Sequence, residues 1–297
     1  MDEAIQSKGV VVGADGSDHG KAALEWAADA AVAHGLPLTV LFARPDATGV
    51  PQELAEPTGP LGEAVALAHA RHPDLEVHAL QMPEPPVQSL LAASETAEFI
   101  VIGSRGIEGF RGLLVGSTTM HVAPYAHCPV VVLHAGRGTE TPLKGEGNPG
   151  QVVLGYDGSP SANRASGFAF RHASAIGTGV VVVTVDQGKG EPELRRTDPE
   201  AASPGSDTGA FTSPILVTAS AFPDVPVSFE SGTGRPAEVL LSAAIGAKLL
   251  AVGIRGRGGF SGLVMGSVGQ KVLAHAQCPV AILPSGIVAA TAAGTPG

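Results

Sequence analysis

Gly103-Ser104-Arg105-Gly106-Ile107-Glu108-Gly109-Phe110-Arg111-Gly112-Leu113-Leu114-Val115-Gly116-Ser117 is the stretch that decides how this chain is read, because it occurs a second time. The second copy is Gly253-Ile254-Arg255-Gly256-Arg257-Gly258-Gly259-Phe260-Ser261-Gly262-Leu263-Val264-Met265-Gly266-Ser267. In both, an apolar β-rich run (99–102, 249–252) leads into Gly-x-x-Gly, nine residues follow, and Gly-Ser opens a helical stretch. Glycines let a backbone approach an oxyanion closely, and the free amides of a helix start point at it. Ser117 and Ser267 are placed to cap those helices, or to turn their hydroxyls to a phosphate oxygen. One such turn is an ordinary strand-to-helix connection. Two with the same internal spacing predict a phosphate cradle.

Outward from the loops, the flanking segments also repeat. An almost continuous apolar run at 9–14 ends in Asp15-Gly16-Ser17, as expected of a strand buried on both faces. Ala23, Leu24, Ala27, Ala30 and Ala31 then share one helix face, with Ser17 or Asp18 as cap and Gly35 and Pro37 as the stop. The spacing predicts strands at 38–43, 75–80 and 130–134, helices at 61–71, 87–96 and 117–126, and a loop at 44–60. Val152-Val153-Leu154-Gly155-Tyr156-Asp157-Gly158-Ser159 starts the pattern again. Helices at 160–176, 209–221 and 236–246 and strands at 180–185, 225–230 and 280–283 follow.

The domain reading is 1–135, a Gly-, Pro- and Thr-rich linker at 136–150, 151–285, and a small-residue tail at 286–297 that is expected to be disordered. The polar stretch between Asp186 and Asp207 is expected to be mobile. Alternating strands and helices predict two open α/β units, each a parallel sheet with helices on both faces. Ligands bind such sheets at the carboxyl ends of strands where the order reverses, and both the Asp-Gly-Ser turns and the glycine loops lie on that edge.

Composition narrows the function classes. The net charge is -10 with only 18 Lys and Arg, which argues against a nucleic-acid surface. The N-terminus has no signal-peptide pattern and no apolar run reaches the roughly 18 residues of a membrane span, so the chain reads as cytoplasmic. Cys128 and Cys278, in Ala-His-Cys-Pro-Val and Ala-Gln-Cys-Pro-Val, read as small core residues rather than a redox pair. Neither Cys-x-x-Cys nor His-Glu-x-x-His occurs, so no metal held by protein ligands alone is expected.

Together these features resemble the universal stress protein family, in particular its tandem, ATP-binding branch. The resemblance is carried by the glycine motif in both halves, the Asp-Gly-Ser turn after strand one, and the Cys-Pro-Val lead into the last strand. It implies an α/β, Rossmann-like fold with a five-stranded parallel sheet per domain, order 3-2-1-4-5, and one ATP per domain, with magnesium as a possible companion. It assigns the phosphates to Gly103, Gly106, Gly116 and Ser117, and to Gly253, Gly256, Gly266 and Ser267, while Arg105, Thr118, Arg255 and Val268 are further candidate nucleotide contacts of the loops. The acid turns, Ala14, Asp15, Gly16 and Ser17 with Tyr156, Asp157, Gly158 and Ser159, would meet the nucleoside or help place a divalent ion. Ala43 and Val185 would contact adenine through their backbones. Domains of the family pair through the fifth strand, and tandem chains often dimerise further.

Asp15 and Asp157 also suit a simple Asx turn, Arg105 and Arg255 are equally readable as solvated, and Phe110 and Phe260 read as core anchors of their loops. The first loop sets Arg105 and Arg111 against Glu108, whereas the second has Arg255 and Arg257 without an acid, which predicts tighter triphosphate binding in the second half. Gly234-Arg235-Pro236 before the third helix of the second half is family-like; the first half has Pro83-Glu84-Pro85-Pro86 there. No Walker motif, loop lysine or nucleophile-base arrangement is legible. The expectation is a nucleotide-dependent regulatory protein with protein partners. A slow ATP-hydrolysing enzyme and a ligand-free scaffold are the alternatives.

Overall fold

The computed structural model describes residues 9–45, 49–106, 115–134, 147–186, 193–197, 207–257 and 264–284. In β1 (Val10–Gly13), Val10 and Val12 face one layer and Val11 the other. The period of two with valine on both faces is what a strand needs when helices cover both sides. The same alternation runs through β2 (Leu38–Ala43), β5 (Phe99–Gly103), β6 (Val130–Leu133), β7 (Val152–Gly155) and β8 (Val180–Asp186).

The helices sort into two layers. On one face lie α1 (Asp18–His34), α2 (Gly59–Arg71), α5 (Pro160–Ala175) and α6 (Asp207–Ser220). On the other lie α3 (Pro86–Ala93), α4 (Ser117–Tyr125), α7 (Pro236–Ala243) and α8 (Ser267–His275). Ser17 caps α1 by accepting from the Gly20 amide, and Gly35 ends it in the left-handed conformation at φ 64°.

With β4 (Val77–Met82), the first half pairs its five parallel strands in the order β4-β2-β1-β5-β6. The second half repeats this with β10 (Val227–Thr233), β11 (Leu249–Gly253) and β12 (Val280–Leu283) as β10-β8-β7-β11-β12. Each half therefore has the expected 3-2-1-4-5 order. The halves pair through their fifth strands, as the resemblance implies: β6 and β12 run antiparallel, Val132 opposite Val280 and Val130 opposite Ile282, and the result is one continuous 12-stranded sheet. Each fifth strand is an apolar edge, and the other half satisfies it.

Two further strands lie where the sequence reads as loop. β3 (Gln52–Glu53) adds to β4 and β9 (Glu193–Thr197) adds to β10, both antiparallel, at the two outer ends of the sheet. The expectation of mobility between Asp186 and Asp207 is thus corrected for Glu193–Thr197. Their polar sequences carry no strand pattern; the pairing comes from the free edges of β4 and β10, and short charged strands are a usual cover for such edges. The expected tail, most of the linker, Phe110 and Phe260 lie outside the described residues.

The C-terminal halves of α1 and α5 meet between the domains. There His172 stacks on Trp26, 5.3 Å between ring centroids, and on Phe168, while Phe99 stands edge-on to Phe168 and His34. Nε2 of His34 and Nδ1 of His172 share one hydrogen bond at 3.1 Å. No helix among the described residues is long and apolar enough to cross a membrane.

Candidate functional site

Each half brings its acid turn and its glycine loop together at the carboxyl edge of the sheet. In the first half β1 runs out at Gly13, and the Ala14 amide still donates to Leu41 O. The chain then turns through Gly16 at φ 80°, and Asp15 Oδ1 accepts from the Ser17 amide at 2.9 Å. The second half reproduces this: the Tyr156 amide donates to Val183 O, Gly158 sits at φ 74°, and Asp157 Oδ1 accepts from the Ser159 amide at 3.0 Å. Both acids therefore make the Asx turn that their sequence permits, and each keeps its second carboxylate oxygen toward the glycine loop.

Close approach explains the loop glycines. A Cβ on Gly103 would stand 2.7 Å from the carbonyl carbon of His19, and one on Gly106 would stand 2.7 Å from Asp15 Oδ2. In the second half a Cβ on Gly253 would overlap Ser161 Oγ, and one on Gly256 would stand 2.5 Å from Asp157 Oδ2. That oxygen also accepts from the Arg257 amide at 2.9 Å. Gly116 closes the first loop by donating to Ser104 O at 2.6 Å, and Gly266 closes the second by donating to Ile254 O at 2.9 Å.

This closure changes the capping assignment. Gly116 and Gly266 are the N-caps of α4 and α8, without a side-chain capping bond, so Ser117 and Ser267 are first helical residues rather than caps. The amides of Gly116 and Gly266 are used by the loop. Among the described residues no acceptor serves the amides of Ser117 and Thr118, or of Ser267 and Val268. Such amides at a helix start carry partial positive charge toward the open edge.

Ala43 ends β2 opposite Met82, and Val185 lies near the end of β8 opposite Gly232. Both are on the sheet edge that holds the acid turn of their own half. Because β6 and β12 run antiparallel, the two carboxyl edges point opposite ways and the two clusters do not share residues.

Three polar residues of the clusters carry no motif signal. His19 Nε2 accepts from Arg105 Nε at 3.1 Å, Ser161 Oγ donates to the Arg255 carbonyl at 2.6 Å, and Thr119 Oγ1 donates to Gly103 O at 3.1 Å. Only the second helix positions after Asp-Gly-Ser, His19 against Ser161, hint at them in the sequence. Tyr156 is pushed up from the ordinary phenol value by burial and by the Asp157 carboxylate, so its hydroxyl stays neutral and donates to Asn163 Oδ1. Among the described residues no three His, Cys, Asp or Glu side chains are grouped to hold a metal ion.

The sequence model of the universal stress protein family matches residues 7–134 and again 150–284. The chain belongs to the universal stress protein family. A universal stress protein of Mycolicibacterium smegmatis is 31% identical over 303 residues, covering 95% of this chain and 99% of its own length. One from Mycobacterium tuberculosis is 31% identical over 297 residues with the same coverages. Among solved structures, a universal stress protein from Archaeoglobus fulgidus superposes with a TM-score of 0.61 at 21% identity, over 95% of this chain and 100% of its own, and shares the fold. Tandem repetition is thus a property of this family member along its whole alignable length.

Proposed function

We propose that this tandem universal stress protein is a nucleotide-dependent regulatory protein that binds one adenine nucleotide, ATP foremost, in each half. A single arrangement, present twice, carries the reading. A carboxylate is packed against a glycine loop with no room for a Cβ, beside a helix start whose first amides have no cap among the described residues. In this reading the amides of Ser117, Thr118, Ser267 and Val268 take phosphate oxygens. Asp15 and Asp157 accept from a ribose hydroxyl or reach the phosphates through a divalent ion, and the backbones of Ala43 and Val185 meet the adenine edge.

The donor set fits magnesium bridged by phosphates, since among the described residues each glycine loop is faced by one carboxylate, Asp15 or Asp157, and magnesium prefers such shared coordination to an all-protein cage. Binding rather than turnover is the chemistry proposed: no loop lysine stands by to neutralise a leaving phosphate. Occupancy would act by adding a charged ligand at the open edge of each half, for protein partners or a second copy of the chain in the cytoplasm to read.

Thermal unfolding of the intact protein with ATP, ADP or AMP tests this. At about a hundred times its dissociation constant, ATP raises stability by roughly 2.7 kcal/mol for each occupied site. Gly106→Glu and Gly256→Glu together should abolish the gain. An unmoved midpoint at millimolar ATP overturns the reading in favour of a ligand-free scaffold, and rapid ADP release would replace it with an enzyme.

A further inference from the structure

The two cradles differ in how each uses its arginine. In the first half Arg105 Nε donates to His19 Nε2 at 3.1 Å, so the imidazole is neutral at that nitrogen and its ring proton is on Nδ1. The guanidinium is arrested through its inner nitrogen and is half-buried, while its two terminal nitrogens have no acceptor among the described residues. In the second half Ser161 takes the place of His19. Ser161 Oγ and Ser159 Oγ both donate to the Arg255 carbonyl, at 2.6 and 3.1 Å, where in the first half Ser17 Oγ alone reaches the Arg105 carbonyl, at 3.5 Å. Arg255 itself is exposed, and its Nε donates to Val264 O at 3.3 Å, at the exit of its own loop.

A guanidinium held by one nitrogen with its outer pair open is prepared to grip a phosphate through two parallel hydrogen bonds. We propose that His19 is a positioning residue that aims Arg105 at the phosphate tail, so that the first half selects the more highly charged nucleotide and the second half does not. This rests on the nucleotide reading above and names the specificity of one of its two sites. It also reverses the order expected from counting loop charges: the Arg255 guanidinium is likewise held only through Nε, but it is exposed and tied to the exit of its own loop, whereas Arg105 is half-buried and held from a separate helix.

Calorimetric titration of the full chain with ATP and with AMP, both with magnesium, tests it. The first half is read with the second cradle closed by Gly256→Glu, and the second half with the first closed by Gly106→Glu. In the first half, His19→Ser should weaken ATP roughly tenfold, as expected for a lost bond to a charged group, and AMP by less than about twofold. His19→Gln, whose Oε1 accepts at a similar reach, should restore the ATP preference, and Arg105→Gln should abolish it. In the second half Arg255→Gln should leave the ratio of ATP to AMP affinity unchanged. The same ratios fitted as two sites in the chain without closing substitutions give the answer even where a closed cradle does not fold.

Equal weakening of ATP and AMP by His19→Ser, no rescue by His19→Gln, or an equal ATP preference in both halves overturns the inference alone. A wild-type chain that takes up neither nucleotide sinks the nucleotide reading, and the inference with it.

Discussion

The imidazole pair between the halves makes stability depend on pH in a calculable way. His172 is 2% exposed, and burial, with a smaller contribution from His34, pushes its ring down from the ordinary 6.5 to about 3. His34 is lowered as well, by burial first; Glu98 opposes that shift and Arg171 adds to it. Above pH 6.5 His172 is neutral in folded and unfolded chains alike and contributes no slope. Below it the unfolded chain takes up a proton that the folded chain refuses, so stability falls with falling pH until about pH 3. Each pH unit in that window is worth about 1.4 kcal/mol, so at pH 5 the loss from His172 is about 2 kcal/mol, with His34 adding in the same direction. Urea unfolding at pH 7 and pH 5 measures it, and the single tryptophan, Trp26, reports from the stack itself. His172→Leu should be less stable at pH 7, having lost the shared hydrogen bond, yet lose less on acidification. Parallel losses in wild type and variant, or a wild type that is flat between pH 7 and 5, would refute the account.

Other outcomes follow from the packing. Gly103→Ala should cost about 1–3 kcal/mol in urea unfolding, because the new Cβ meets the His19 backbone at 2.7 Å, which cannot swing aside; Gly106→Ala meets only the tip of Asp15 and should cost less. Cys128 and Cys278, both buried, have their thiols pushed up to about 12 by that burial. Neither should react with a disulfide reagent at pH 8 until denaturant is added. At Asp29, burial favours the neutral acid, but hydrogen bonds from Arg71 and His72 outweigh it and hold the carboxyl below 3.8. The site is substantially exposed, so Asp29→Asn should cost less than about 1 kcal/mol at pH 7. Asp29's contribution is present above pH 3.8 and fades as the pH falls through its lowered value, which a double-mutant cycle with Arg71 read at pH 7 and pH 3 would show.

The central strands were legible because buried parallel strands are written in valine, as in Val10–Gly13 and Val180–Asp186, and the glycine spacing marked the edge where the turns meet. The pairing of β6 with β12 leaves no trace in either strand, since a doubly covered strand has the same sequence whether its neighbour is parallel, antiparallel or absent. Gln52–Glu53 and Glu193–Thr197 escape for the opposite reason: their pairing is dictated by the edge they cover, and their own residues favour nothing. Ser117 and Ser267 suggested caps by type, whereas loop closure moved the cap one residue earlier. The directions of Arg105 and Arg255 were illegible, because one histidine-for-serine difference on a separate helix decides them.

Fusion of the two halves also explains where the polar residues of the interface sit. An isolated first half would present β6 as an unpaired apolar edge and leave the Trp26 and Phe99 rings open to water, so the halves stabilise each other through both a sheet ladder and an aromatic layer. Burying His34 and His172 in that layer costs desolvation, which their mutual hydrogen bond offsets only when the two nitrogens are held in register. A ladder slipped by one residue would part them. The same pair that weakens the protein in acid therefore favours one registry of the halves at neutral pH, while the antiparallel direction of that ladder sets the two cradles on opposite edges of a single sheet.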